Sequence, residues 1–261
     1  MISHFAGDLQ YFTFESFPNS RLTHAVFGRH GGVSPAPYAT LNMSISTGDS
    51  LANVRENRRR AYAAAGVAFA SMATLWQVHG VEVKAIGSRP CDPYTRADAL
   101  ITNRTDVSLF LRFADCVPIL LYDPVRSAIG IAHAGWRGTV AGMAASVVQA
   151  MVAAYDSRPA DLIAGIGPSI SVERYEVGAE VVAAVEQSFP EPGGLIQYRN
   201  GRPYFDLWAA NRRALREQGV REIEVSELCT ATHRDVFFSH RGDRGQSGRF
   251  GAVIALRSGS T

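Results

Sequence analysis

Three side chains of types that bind metal ions or act as nucleophiles stand at the ends of predicted strands. His79 follows the segment LWQV, Cys116 precedes the apolar run VPILLYD, and His133 follows IGIA and precedes a glycine turn. Because the ends of neighbouring strands can meet at one edge of a sheet, we expect these three residues to converge. Two imidazoles and a thiolate suit Zn²⁺ or copper rather than Mg²⁺. Three such ligands, with a fourth position left for water, are typical of a catalytic zinc site.

The same residues allow a second chemistry without a metal. Cys116 could attack an amide if His133 or His79 removes its proton and Asp115 orients the imidazole. Asp115 could equally cap the turn beside it. A cysteine just before an apolar strand is also often a buried structural residue. The sequence leaves the metal site, the nucleophile and the buried thiol open.

A third interpretation, copper-dependent phenol oxidation, fits the sequence less well. Several coppers need many histidines in HxH pairs. The chain has seven histidines, and none of them forms an HxH pair. Copper is therefore a weaker prediction than zinc.

Polar residues in loop-like motifs are candidates for substrate binding. Arginine guanidiniums bind phosphate and hydroxyl oxygens well. Side-chain amides can recognise the polar edge of a substrate, an aromatic ring can stack on a flat one, and an acid can carry a proton. The predicted substrate contacts are Arg29, Asn42, Gln77, Arg137 and Arg249. Each arginine could instead be a surface or structural residue, and the two amides could equally bond to the backbone of their loops. Trp136 could stack on a base or be buried, and Asp98 could carry a proton or occupy a turn.

Composition limits the possible partners and the compartment. The chain has 261 residues, 46% of them hydrophobic, and a net charge of only +2 from 26 basic and 24 acidic residues. This balance argues against a nucleic-acid-binding protein. No apolar stretch is long enough for a membrane span, and the first residues do not resemble a signal peptide. Three cysteines without a CxxC motif predict a cytoplasmic protein without disulfides.

The hydrophobic pattern predicts a single mixed α/β domain over residues 1–261. A helix capped by Asp49 or Ser50 should end at Gly66. Further helices are predicted over 139–155, 179–189 and 206–218. Strands are predicted over 11–15, 23–27, 73–78, 81–86, 99–102, 108–113, 117–122, 128–132 and 162–166, and in the last segment, GRFGAVIALR.

Eight ordered segments resemble one protein family over about Arg29 to Leu256. They are RHGGVSPAPYATLNMS, LWQVHG, ADALIT, FADCVPILLYDP, IAHAGWRGT, GIGPSISVERYEVG, YFDLWAANRRAL and FFSHRGDRGQSGRFGAVIAL. The chain resembles the polyphenol oxidase (laccase domain) family, whose members are now regarded as zinc-dependent purine nucleoside phosphorylases and adenosine deaminases. Amide hydrolysis of cell-wall precursors is also associated with this family.

The resemblance implies a four-layer α/β/β/α sandwich and a monomeric bacterial cytoplasmic enzyme. It implies a metal held by His79, Cys116 and His133, with purine nucleosides and phosphate as substrates. Zinc could activate water for deamination at purine C6, whereas its part in phosphorolysis is less apparent. Two positions depart from the family pattern, which has cysteine where this chain has Ser169 and tyrosine where it has His240. Neither departure affects the three predicted ligands.

Overall fold

The computed structural model describes residues 1–87 and 92–257, so Cys91 lies outside the described part of the chain. The helices are α1 (Leu51–Ala64), α2 (Trp136–Val140), α3 (Met143–Tyr155), α4 (Ala179–Ser188) and α5 (Leu207–Glu217). The strands are β1 (Ile2–Ala6), β2 (Leu9–Thr13), β3 (Leu22–Phe27), β4 (Met72–Ala73), β5 (Val83–Ala85), β6 (Ala99–Thr102), β7 (Ser108–Phe113), β8 (Val117–Asp123), β9 (Ala128–Ala134), β10 (Ile163–Ile166), β11 (Ile196–Arg199), β12 (Arg202–Phe205), β13 (Glu222–Val225) and β14 (Phe250–Leu256).

Two six-stranded mixed sheets carry the fold. The first sheet has the order β1-β2-β3-β14-β7-β4, and the second has the order β13-β10-β8-β9-β6-β5. Every residue of β8 and β9 is buried, as expected for central strands that are covered on both faces. These two strands pair antiparallel, and their register places Pro118 opposite His133. The second sheet therefore presents the start of β8 and the end of β9 side by side.

Four layers follow from the packing of the apolar faces. Between the sheets, Leu111 of the first sheet belongs to the same core as Leu120 and Ile131 of the second. On the outer face of the first sheet, α1 packs Tyr62 against residues that include Phe110. Helices α3, α4 and α5 cover the outer face of the second sheet. The predicted α/β/β/α sandwich is confirmed.

Several elements differ from the sequence prediction. The helix predicted over 139–155 is two helices, because Gly142 adopts a left-handed conformation with φ +89 and ends the first of them. The strand predicted over 73–78 is reduced to β4. The edge strands β1 and β13 and the hairpin β11-β12 were not predicted. Of the two candidate caps of α1, Ser50 is the residue whose side chain accepts a hydrogen bond from the Asn53 N–H.

Candidate metal centre

His79, Cys116 and His133 meet at one site. Each offers one ligand atom, and these three atoms lie within 4.8 Å of one another. The two imidazole rings meet edge-on, with centroids 4.8 Å apart. A tetrahedral zinc ion with bonds of about 2.0–2.3 Å needs ligand atoms roughly 3–4 Å apart. The predicted convergence is confirmed, and the donor set fits a borderline-soft ion such as Zn²⁺ or copper.

The second sheet and one glycine provide the space for this cluster. Cys116 directly precedes β8, and His133 lies near the end of the neighbouring β9. Gly135 follows β9, and a Cβ atom there would lie 2.9 Å from Cys116 Sγ and 3.3 Å from His79 Cδ2. Because real Cβ atoms do not approach a sulfur so closely, only glycine leaves the thiol and the imidazole in place at this position.

The buried carboxylate of Asp98 organises both histidines. It accepts hydrogen bonds from three consecutive backbone N–H groups, those of Val78 (3.1 Å), His79 (2.9 Å) and Gly80 (2.7 Å). These bonds hold His79 in a left-handed conformation with φ 62. The same carboxylate lies 2.9 Å from Nδ1 of His133, which leaves Nε2 of that ring as its second donor position. Carboxylates that orient metal-binding imidazoles in this way are common in metal sites.

The charges of the site favour a thiolate. Burial by itself would raise the pKa of Cys116, but His133 and His79 lower it to about 6. Burial would lower the pKa of His133, yet Cys116 and Asp98 raise it to about 9. For Asp98, burial is outweighed by the bonds from His133, His79 and Gly80, and its pKa falls below the ordinary value. The cluster therefore stabilises the ionised sulfur that a metal ligand or a nucleophile requires.

Asp115 does not take the part that the sequence suggested for it. Its carboxylate accepts hydrogen bonds from the hydroxyls of Thr230 (2.6 Å) and Ser239 (2.7 Å) and from the Arg241 N–H (2.6 Å). The expectation that Asp115 orients a histidine is therefore wrong, and Asp98 does so instead. Asp115 ties the end of β7 to the loops that precede β14, while the adjacent Cys116 reaches the metal cluster.

A pocket of about 340 Å³ opens beside the three ligands. Cationic, hydroxyl and aromatic side chains form its wall together with the three ligand candidates. It is lined by Ser44, Ser46, Trp76, Gln77, His79, Arg112, Ala114, Cys116, His133, His240 and Arg249. Sequence reasoning missed Arg112, Trp76 and the two serines. The signal for Arg112 was present, because it is the only charged residue in the apolar strand SLFLRF.

Two of the five predicted substrate contacts lie in this pocket. Gln77 and Arg249 line it, although the Gln77 amide is occupied by Arg112: it donates to the Arg112 carbonyl at 2.8 Å and accepts from the Arg112 N–H at 3.0 Å. His240 also lines the pocket. Ser169 lies elsewhere and accepts a hydrogen bond from the indole N–H of Trp208.

The other three predicted contacts are outside the lining. Arg29 donates to the Arg234 carbonyl at 2.7 Å and lies over the Phe238 ring at 4.6 Å. Asn42 is fully buried and uses its amide within the protein. Arg137 is exposed and lies 4.4 Å over the ring of Trp136, whose indole packs against the outer core of the second sheet. The structure thus places these three side chains in contacts with other parts of the protein and outside the pocket beside the metal cluster.

The remaining sequence expectations concern cysteines and membranes. Cys116 and Cys229 are both free thiols, and Cys91 lies outside the described residues. In the ranges 1–87 and 92–257, no helix is both long enough and apolar enough to cross a bilayer.

Comparison with known proteins gives the same family as the sequence motifs. A family model described as multi-copper polyphenol oxidoreductase laccase matches residues 23–257. The chain belongs to this family. It is 42% identical over 246 residues to a purine nucleoside phosphorylase of Deinococcus radiodurans, with 94% of each chain covered. It is 33% identical over 230 residues to the purine nucleoside phosphorylase YfiH of Escherichia coli, with 87% of this chain and 91% of the relative covered.

Solved structures support the same relationship. A crystal structure of YlmD from Geobacillus stearothermophilus superposes with a TM-score of 0.90 at 34% sequence identity and covers 98% of each chain. A crystal structure of the Bacillus licheniformis hypothetical protein YfiH gives a TM-score of 0.89 at 34% identity. The layered architecture described above is therefore the architecture of this family.

Proposed function

We propose that this chain is a zinc-dependent purine nucleoside phosphorylase that also deaminates adenosine. The observation that carries the proposal is the convergence of His79, Cys116 and His133 beside a pocket with cationic walls. The relatives named purine nucleoside phosphorylase support the substrate class. In this proposal the three residues hold Zn²⁺, and purine nucleosides and inorganic phosphate enter the adjoining pocket.

The substrate would lie between two chemically different walls. When bound, Zn²⁺ would supply a Lewis acid at the end of the pocket formed by the three ligands. Trp76 is 36% exposed and lines the pocket, so its indole offers a face on which a purine can stack. In phosphorolysis the bond from ribose C1′ to the base breaks, a bond from C1′ to a phosphate oxygen forms, and the base leaves with the bonding electron pair. Deamination instead replaces the exocyclic amino group at C6 with an oxygen from water and releases ammonia.

Two substitutions test the metal part of this proposal. Cys116→Ser should lower zinc content and nucleoside turnover together, because a serine hydroxyl is a harder and far less acidic donor than a thiolate. His79→Ala should have the same paired effect. Zinc content is measured by elemental analysis after gentle purification, and turnover is measured with adenosine and inosine in the presence of phosphate. A wild-type protein that contains no metal, is not activated by zinc and consumes neither nucleoside would contradict the proposal.

One observation supports a second candidate function, a cysteine hydrolase acting on an amide. Next to His133, the pKa of Cys116 falls to about 6, which would make the sulfur a nucleophile at neutral pH. The carboxylate that orients this histidine would be Asp98. The two functions separate in metal-free protein: a hydrolase stays active without metal and is abolished by thiol alkylation, whereas a zinc enzyme loses its activity on chelation and regains it with zinc.

Copper-dependent phenol oxidation is less well supported, even though the family description includes it. Among the described residues, one cluster of at least three metal-binding side chains is present, and it offers two imidazoles and one thiolate. A centre with several coppers requires more histidines than this cluster holds. We therefore propose zinc as the ion, with metal analysis of the purified protein as the test.

A further inference from the structure

We propose that Arg112 and Arg249 form an anion site that binds inorganic phosphate as the second substrate. The inference rests on the function proposed above and adds to it the position of the phosphate. Both arginines line the pocket that contains the three metal-ligand candidates. The phosphate would therefore lie beside the nucleoside rather than on the outer surface.

Arg112 is held rigidly by the loop that carries His79. Its Nε donates to the Gln77 side-chain oxygen at 3.0 Å, and its Nη2 donates to the Leu75 carbonyl. Gln77 also forms two hydrogen bonds with the backbone of Arg112. Among the described residues, Nη1 of Arg112 has no protein acceptor, so the guanidinium is fixed in place while a donor remains for a ligand. A fixed guanidinium loses little conformational entropy when it binds an oxyanion.

Arg249 directly precedes β14, which pairs antiparallel with β7 in the same sheet and places Gly251 opposite Arg112. Its Nη1 donates to the carbonyls of Ser247 (2.7 Å) and Gly248 (2.9 Å). Its backbone N–H donates to the side-chain oxygen of Asn42 at 2.9 Å, which explains the buried position of that asparagine. Within the described ranges, Nε and Nη2 of Arg249 have no protein acceptor. Asn42 therefore positions the arginine and leaves two guanidinium nitrogens for a ligand.

The surroundings of Arg112 and Arg249 contain positive charge without nearby carboxylates. No carboxylate oxygen in the described part of the chain lies within 4.0 Å of either guanidinium, whereas several surface arginines have such partners. A third arginine, Arg58, is partly buried and donates to the Met43 carbonyl at 2.9 Å and 2.7 Å. Burial, with Arg58 and Arg249 nearby, lowers the pKa of Arg112 to about 9. Arg112 and Arg249 are partly buried, so cations at these positions lose part of their hydration without gaining an anionic partner, and a bound anion would reduce that cost.

The other groups of this wall fit a tetrahedral oxyanion. Ser44 and Ser46 line the pocket with their hydroxyl oxygens 2.8 Å apart, and His240 adds an imidazole. A phosphate has several oxygens that can accept from two guanidiniums and from hydroxyl groups together. A planar carboxylate would use fewer of these donors. The chemistry of the wall therefore matches inorganic phosphate.

The test compares Arg249→Gln and Arg112→Gln with Arg104→Gln, an exposed arginine that pairs with Asp106 in the turn before β7. Rates of zinc-loaded protein are measured against phosphate concentration at saturating inosine, and inorganic phosphate is titrated calorimetrically without nucleoside. Losing charge-assisted bonds should raise the phosphate KM and Kd about 10–100-fold in both pocket variants. The inosine KM and the zinc content should change less than about twofold, and the control should match wild type.

Two outcomes separate this inference from the proposed function. If wild type phosphorolyses inosine but neither pocket variant weakens phosphate binding, the anion site is refuted while the phosphorylase function stands. If phosphate binds with the predicted arginine dependence but inosine is not consumed, the function is refuted and the anion site stands. Arg249→Gln decides if Arg112→Gln fails to fold, because within the described part of the chain the Arg249 side chain donates only to the carbonyls of Ser247 and Gly248.

Discussion

Replacing Asp98 with asparagine should weaken both the fold and the metal centre. The two carboxylate oxygens accept four bonds, with His79 N and His133 Nδ1 on one oxygen and Val78 N and Gly80 N on the other. An amide keeps one acceptor oxygen, so in either orientation its NH₂ group faces two N–H donors. Two bonds to a charged acceptor are worth about 1.5–3 kcal/mol each. Because the variant no longer buries a charge, we expect a net loss of roughly 2–4 kcal/mol in unfolding free energy.

The effect on zinc should accompany the loss of stability. An amide gives His133 Nδ1 either a neutral acceptor or an NH₂ group in place of the carboxylate, and losing such a charged partner typically weakens metal binding about 10–100-fold. Urea unfolding gives the stability change, and zinc competition with a chromogenic chelator gives the affinity. Asp123→Asn is the control: this carboxylate is also buried, but both of its bonds go to one oxygen, so an amide can keep them. Wild-type stability and zinc affinity in Asp98→Asn would refute the reasoning.

Three further predictions concern the metal site, pH and the base. Gly135→Ala should weaken zinc binding roughly tenfold through its contact with Cys116 Sγ, while Gly193→Ala, with nothing within 4 Å, should not; equal zinc affinities would contradict this. Burial lowers the pKa of His24 from 6.5 to about 4, so the unfolded chain binds the extra proton and stability should fall by up to about 3 kcal/mol as pH drops from 6.5 to 4. His24→Gln should remove that part of the pH dependence of urea unfolding, and an unchanged pH profile would refute the assignment. Trp76→Ala should raise the inosine KM roughly tenfold through lost stacking with little change in the phosphate KM, whereas Trp76→Phe should retain most of the affinity; an unaltered inosine KM in Trp76→Ala would exclude stacking.

Local sequence patterns predicted the central elements well and the edge elements poorly. Strands β6 and β7 have the predicted bounds, because continuous apolar runs between turn residues permit few alternatives. Edge strands such as β1 are largely exposed, so they carry little hydrophobic pattern. The break at Gly142 was missed because the residues on both sides have helical, apolar character, and one left-handed glycine separates them.

The residue types of the metal centre were determined by the sequence, since two histidines and one cysteine at strand ends already limit the possible ligands. The tertiary structure decided which acidic residue positions these ligands. Asp98 and Asp115 each precede a predicted strand or follow one, and nothing local distinguishes them. Only the pairing of β6 with β9 brings Asp98 beside His133, while Asp115 faces residues more than a hundred positions away along the chain. The same holds for Arg112, which becomes a pocket residue because the two sheets pack face to face. Side-chain partners separated by such distances in sequence are set by topology, which local propensity does not encode.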